Sequence, residues 1–309
     1  MTDAAVALAY KHCERITRSR ARNFYYGIRL LPPRKRAAMC ALYAMARRID
    51  DVGDDAHLAT TSGSPGAAAL VAPGTGDRRL AALEAVRVSL ACLPGASSSE
   101  KVPVPPGDPV LTALADTARH YPLPTAALEE LVEGCEWDLV GREYDSFEDL
   151  VEYCRRVAGT IGRLSLAVYG STDPARAEPL ADGLGVALQL TNILRDVIED
   201  RDVMGRVYLP RQDRERFGVG PALQGTAHDL VALICFETGR AAEWYERGLP
   251  LLGLLDRRSR ACTAAMAGIY RRLLDRIRLC PESVLHGRLR LSPGQKAAVA
   301  ALALARGTL

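Results

Sequence analysis

The sequence predicts an all-α protein, and three observations predict it. Apolar residues recur at three-to-four spacing across nine segments. No stretch alternates apolar and polar residues as a half-buried strand does. Helix-start signals stand where periodic segments begin: Ser146-Phe147-Glu148-Asp149 has the form of a capping box, and Ser292-Pro293-Gly294-Gln295 offers a cap, a first-turn proline and a closing Gln.

In chain order the first periodic segment, 34–50, runs into an acidic cluster. Segments 80–93, 109–119 and 124–140 follow, and 146–169 opens at the Ser146 box. Segment 175–200 holds an apolar stretch, Leu184 to Leu190, broken only by Gln189, and then a second acidic cluster. Segments 226–247, 258–280 and 293–306 complete the set. Two stretches, 57–78 and 94–108, are rich in Gly, Ser, Pro and Ala and read as long loops. The helix between them is too short to be a domain, so residues 1–309 read as one helical domain with two loops.

Composition narrows the function classes. Hydrophobic residues make up 48% and charged residues 25% of 309, which excludes a mainly disordered chain. Forty Lys and Arg against 37 Asp and Glu leave +3, too balanced for charge to argue nucleic-acid binding. Only Lys11, Lys35, Lys101 and Lys296 are lysines, so 36 of the 40 are arginines, the better bidentate partners for phosphate. None of the eight cysteines forms a C-x-x-C pair, and reduced buried thiols in a cytoplasmic protein are expected. The longest clean apolar run, Ala297 to Ala305, is too short to span a bilayer. A soluble protein is expected, with peripheral membrane contact left open.

The informative feature is the pair of acidic clusters. Arg47-Arg48-Ile49-Asp50-Asp51-Val52-Gly53-Asp54-Asp55 ends the first segment, with Asp50 and Asp54 on one helix face. Asn192, Asp196 and Asp200 are spaced i, i+4, i+8 and form an oxygen-bearing stripe. Like charges stacked on one face repel, and near a helix C-terminus the macrodipole adds to the cost. The first cluster alone reads readily as a solvated face. The second continues an apolar face, where unpaired charge is expensive. Oxygen ligands without His or Cys point to Mg²⁺, with Mn²⁺ second, and Mg²⁺ completes its shell with water and substrate phosphate. Together the stripes predict a metal–diphosphate site.

At these residues the chain resembles the squalene/phytoene synthase family, the head-to-head branch of the trans-isoprenyl diphosphate synthases. The resemblance is carried by RNFYYGIRLLPPRKRAAMCALYAMARRIDDVGDD (22–55), EWDLVGREY (136–144), YCRRVAGTIGRLSLAVYG (153–170), LGVALQLTNILRDVIEDRDVMGRVYLP (184–210) and AMAGIYRRLLDRI (265–277). FYYGIRLLPP and VAGTIGRLSL favour the bacterial hopanoid-pathway presqualene diphosphate synthases within it. The resemblance implies a helical bundle around a deep central cavity that takes two prenyl diphosphates. It implies Mg²⁺-assisted loss of one diphosphate, attack by the double bond of the second substrate, and proton loss that closes a cyclopropane. For farnesyl diphosphate the product is presqualene diphosphate; the alternatives are phytoene from geranylgeranyl diphosphate, and onward reaction to squalene or dehydrosqualene. Reduction to squalene needs NADPH, and the absence of a Gly-rich dinucleotide fingerprint decides nothing, because reducing relatives lack one too. A different-class alternative is an inactive helical partner of an active synthase, whose expected mark, lost metal ligands, is missing.

The resemblance assigns roles by position. Asp50, Asp51 and Asp54, with Asn192, Asp196 and Asp200, match metal ligands. Arg47, Arg195, Arg206 and Tyr208 match diphosphate-side positions. Tyr43, Tyr153, Val157, Ala158, Gly162, Leu184, Leu188 and Gln189 match cavity-lining positions, with Gly162 and Ala158 small enough to leave room for a prenyl chain. Gly162 also reads as a helix-packing glycine. Tyrosine rings can stabilise a passing carbocation. Asp138 matches an acidic position whose role the resemblance leaves open. Two departures stand out. Arg20-Ala21-Arg22-Asn23-Phe24 replaces a hydroxyl-bearing element, with Arg20 and Arg22 beside it to compensate. The stretch from Asp200 to Tyr208 is one residue longer than in many members. Nothing in the sequence sets an oligomeric state.

Overall fold

A computed structural model describes the backbone of residues 2–21, 23–54, 75–95, 104–105 and 107–306, and their side chains apart from positions 53, 54 and 75. Every regular element among the described residues is helical. The order is α1 (Asp3–Arg20), α2 (Tyr25–Ile28), α3 (Pro33–Asp54), α4 (Thr75–Leu90), α5 (Pro109–His120), α6 (Ala126–Leu139), α7 (Phe147–Cys154), α8 (Thr160–Tyr169), α9 (Pro174–Glu199), α10 (Arg211–Arg216), α11 (Ala227–Gly248), α12 (Arg257–Leu279) and α13 (Pro293–Arg306). A π-helical turn, Arg155–Gly159, joins α7 to α8, and a second, Asp200–Met204, continues α9.

The start signals act as expected. The Ser146 backbone N–H donates to Asp149 Oδ2 at 2.9 Å while the Asp149 N–H donates to Ser146 Oγ at 3.2 Å. Ser292 and Gln295 make the same reciprocal pair at 3.0 and 3.3 Å. α4 begins at Thr75, inside the stretch expected to be loop, and ends at Leu90 rather than 93. Residues 57–74 of the first expected loop, and 96–103 and 106 of the second, lie outside the described residues. α1 departs from expectation, since no periodic segment points to it. Its buried seam is Ala9, Cys13 and Thr17, which has helical spacing but no large aliphatic side chain.

One cluster of buried apolar side chains runs from Ala9 on α1 to Val299 on α13, so the helices share a core. α9 lies at its centre and packs on α8, α11, α12 and the π turn at 155–159. The approach is close enough to require glycine. A Cβ on Gly162 of α8 would overlap the Ala181 carbonyl of α9, its carbon only 2.8 Å away. A Cβ on Gly185 would lie 2.6 Å from the Ala158 carbonyl carbon. All eight cysteines are free thiols; five are buried, and Cys235 and Cys280 are exposed. No helix among the described residues is long and apolar enough to cross a membrane.

Candidate active site

α3 delivers the first acidic cluster. Arg47, one turn before it, pairs with Asp51 at 2.5 Å and Asp50 at 3.6 Å. The neighbouring Arg48 turns elsewhere and forks onto both oxygens of Asp108, the cap of α5, at 2.7 and 2.8 Å. That bidentate pair ties α3 to the start of α5 and leaves the acidic cluster to Arg47. Tyr43, one turn further back, is half-buried, and burial pushes its hydroxyl pKa up to about 12. The Phe24 ring stacks on Tyr270 at 5.4 Å and tilts against Tyr43 at 6.5 Å. The side chain of Asp54 and all of Arg22 lie outside the described residues. Arg20 is exposed in the last turn of α1, and no ion pair among the described residues ties it to either cluster.

α9 delivers the second stripe. Arg195, only 7% exposed, forks onto Asp196 at 2.7 and 2.5 Å. Arg288, from the segment before α13, reaches the same carboxylate at 3.0 Å and Glu199 at 3.3 Å. Asn192 Nδ2 donates to Gln189 Oε1 at 3.3 Å, while Asn192 Oδ1 is buried with no hydrogen-bond partner among the described residues. At the end of the stripe Asp200 has its pKa raised to about 7, first by burial and then by the nearby Asp196 charge, with Arg206 opposing. A narrow crevice borders it, walled by Ile193, Val197, Tyr208 and Leu223 among others.

α6 joins the two stripes. Cys135 and Asp138 are three residues apart and share a helix face. The Cys135 thiol sits 4.0 Å from Asp50 Oδ1. Asp138 accepts hydrogen bonds from Tyr153 and Tyr208, both at 2.9 Å, with an Arg206 guanidinium nitrogen at 3.8 Å. The rings of Tyr144, Tyr153 and Tyr208 form one aromatic cluster, their centroids 5.2–6.2 Å apart. The second π turn delivers Arg206 and Tyr208. Asp200 caps α9, Gly205 closes the turn at φ 66°, and the Arg206 N–H bonds the Asp200 carbonyl at 2.9 Å. A π turn takes up one more residue than an α turn, so it can accommodate a longer stretch between Asp200 and Tyr208.

The apolar positions divide. Val157 and Ala158 lie in the first π turn, and Val157 packs on Gly134 of α6, where a Cβ would be 2.6 Å from its Cγ1. Leu184 is buried where Gly248 of α11 meets α9; Leu188 and Gln189 are half-buried. The bare face of Gly162 is filled by the α9 backbone, so its small size serves helix packing there. Arg288, Tyr270 and Tyr144 were not singled out from the sequence. Arg288 is one arginine among 36 with no motif around it. Tyr270 lies inside the matched 265–277 segment, and only its stacking on Phe24 and the Arg195 guanidinium 6.0 Å from its ring centre reveal its place.

The donor set fits Mg²⁺. It is all oxygen, and it includes the unpartnered Asn192 Oδ1 and a carboxyl at Asp200 whose burial disfavours its charge until a cation offsets it. Among the described residues no three His, Cys, Asp or Glu side chains converge on a ready-made cage. Mg²⁺ needs none, since one or two carboxylates, waters and a substrate phosphate complete its shell.

Comparison with known proteins places this arrangement. Residues 17–295 match the squalene/phytoene synthase family model. A phytoene synthase of Mycobacterium tuberculosis is 47% identical over 96% of this chain and 91% of its own length. A 15-cis-phytoene synthase of Synechocystis sp. is 35% identical over 92% and 81%. Among solved structures, a dehydrosqualene synthase superposes with a TM-score of 0.81 at 30% identity, covering 97% of both chains. A squalene synthase from Alicyclobacillus acidocaldarius superposes at 0.73 with 27% identity, covering 93% of this chain and 98% of its own. With its acidic stripes, arginines and tyrosines drawn onto one helical framework, the chain belongs to the squalene/phytoene synthase family.

Proposed function

We propose that the protein is a Mg²⁺-dependent prenyltransferase that joins two identical prenyl diphosphates head to head and releases diphosphate. The observation that carries this reading is the junction made by α6: Cys135 beside Asp50 and Asp138 beside Arg206 draw both acidic stripes, each with its own arginines, toward one face. Asp50, Asp51, Asn192, Asp196 and Asp200 would hold the metal, with Asp54 on the same helix. When bound it would supply charge neutralisation to the departing diphosphate. Arg47, Arg195, Arg206 and Arg288 would fork onto diphosphate oxygens and offset the leaving-group charge. Tyr43 and Tyr270, flanking Phe24, and the Tyr144–Tyr153–Tyr208 cluster would present ring faces to the allylic cation.

Two chain lengths are in play. The 47% identity to a protein named phytoene synthase favours geranylgeranyl diphosphate, with phytoene as product. The two dehydrosqualene and squalene synthase structures and the FYYGIRLLPP segment favour farnesyl diphosphate, with presqualene diphosphate as the product or intermediate. The higher identity leads us to the C40 reading. Mass spectrometry of products from each diphosphate with Mg²⁺, with and without NADPH, tests it. A coupled product from farnesyl diphosphate alone would reverse the chain-length assignment, and unchanged substrate in every arm would refute the reaction. A thermal shift with Mg²⁺ plus pyrophosphate separates a synthase from an inactive partner, which would not respond to the pair.

A further inference from the structure

Asp138 is half-buried at the centre of a polar knot. Its Oδ2 accepts the Tyr153 hydroxyl and its Oδ1 the Tyr208 hydroxyl, each at 2.9 Å. Tyr153 is 2% exposed and Tyr208 9%, and the two hydroxyl oxygens are 3.4 Å apart. A tyrosine hydroxyl has one proton and an ionised carboxylate only accepts. Arg206 beside Asp138 favours that ionised form. Both hydroxyl protons are therefore held inside the knot, that of Tyr208 on Asp138 and that of Tyr153 on Asp138 and, at 3.4 Å, toward the Tyr208 oxygen, so neither is left to point at a substrate. Burial, and then the Asp138 charge, holds both hydroxyls well above the ordinary tyrosine range, so they stay neutral. Tyr208 borders a narrow crevice that Asp200 and Arg206 also line.

Resting on the head-to-head reading above, we propose that Asp138 is a positioning residue that locks Tyr153 and Tyr208 as donors to itself, so that the pair faces the substrate cation as acceptors only. An acceptor-only pair stabilises positive charge with lone pairs and ring electrons, and it cannot hand a proton to the substrate. Freed from Asp138, either hydroxyl could turn its positive end toward the cation. The cation would then be less stabilised and more open to capture by water. The arrangement thus favours carbon–carbon coupling over loss of substrate as a prenyl alcohol.

The test is Asp138→Asn, a near-isosteric change whose amide can accept from one tyrosine but must donate to the other. Its kcat is expected to fall about a hundredfold with KM within about threefold, and the share of prenyl alcohol among products to rise. In a Tyr153→Phe/Tyr208→Phe background the same substitution is expected to change kcat by less than about threefold, because the groups it acts through are gone. Near-normal kcat and product ratio in Asp138→Asn, or an equal loss in both backgrounds, would overturn the proposal. Protein labelled with ¹³Cζ-tyrosine supplies a readout independent of turnover. Resonances assigned from the single Phe variants should show both hydroxyls donated to a carboxylate, and a spectrum in which either is not donated overturns the lock even if Asp138→Asn does not fold. If the unmodified protein makes no coupled product from either diphosphate, the reading of the reaction fails while the spectrum still decides the lock.

Discussion

Gly162→Ala puts two explanations of one small residue in opposition. The added Cβ would lie 2.8 Å from the Ala181 carbonyl carbon and closer still to its oxygen, against an ordinary contact of 3.4 Å or more. Both partners are helix backbone, so no side chain can rotate away, and α8 and α9 must separate locally. Overpacking of this kind costs about 1–3 kcal/mol, partly offset by up to ~1 kcal/mol from the better helix propensity of alanine. Gly183, on the same α9, is the internal control. Its Cβ would meet only the Trp244 ring at 3.6 Å, an ordinary contact, so Gly183→Ala should be neutral or stabilising by up to ~1 kcal/mol. Urea unfolding of the three proteins, with equal slopes, should put Gly162→Ala below wild type and Gly183→Ala at or above it. If Gly162 only left room for a prenyl chain, Gly162→Ala would be as stable as wild type and would lose turnover chiefly on the longer substrate. That pattern would refute the packing argument.

Asp50→Asn and Asp196→Asn should each lower turnover at least about a hundredfold with the helical circular-dichroism spectrum unchanged, and near-normal rates would refute their metal roles. Arg288→Gln frees one side of Asp196 while Arg195 remains, so it should raise KM for prenyl diphosphate more than it lowers stability, as steady-state kinetics and thermal melts will show. Glu237, 3% exposed on α11, faces Asp213 of α10 and the Arg240 guanidinium that bridges the two carboxylates. Burial first, and then the Asp213 charge, raises its pKa to about 8. The folded state holds that proton more tightly than the unfolded chain does, so stability falls as pH rises from the ordinary glutamate range to about 8. Asp200 acts in the same direction. Glu237→Gln should flatten the fall in melting temperature between pH 5 and pH 8.5, and parallel curves would contradict the assignment.

The second stripe was legible because its chemistry is local. Carboxylates every fourth residue after Leu184–Leu190 announce both a helix and a buried charge problem, and α9 runs from Pro174 to Glu199 as the periodicity predicts. The helix starts at Ser146 and Ser292 were legible for the same reason, since a cap and its partner lie three residues apart. What sequence could not show depends on distant partners. Arg288 joins Asp196 across more than ninety positions, and Tyr270 gains its role by meeting Phe24 and Arg195 in space. α1 hid because small residues fill its seam. Gly162 carried two sound readings, and only the position of the Ala181 carbonyl distinguishes them. That the stretch after Asp200 folds as a π turn that brings Tyr208 to Asp138 was not visible in the sequence.

The placement of α6 has a mechanical consequence. A helix of fourteen residues moves as a rigid rod, and this one touches the first stripe through Cys135 and the aromatic cluster through Asp138, less than one turn apart. One and two turns earlier the same side of the helix is anchored by Ala127, Leu128, Leu131 and Val132, all 2% exposed or less. A cavity cut beneath that anchor would let the rod roll, displacing both halves of the site by correlated amounts in one step. The two halves of the site are in this sense geared together, so loosening the foundation of one loosens the other.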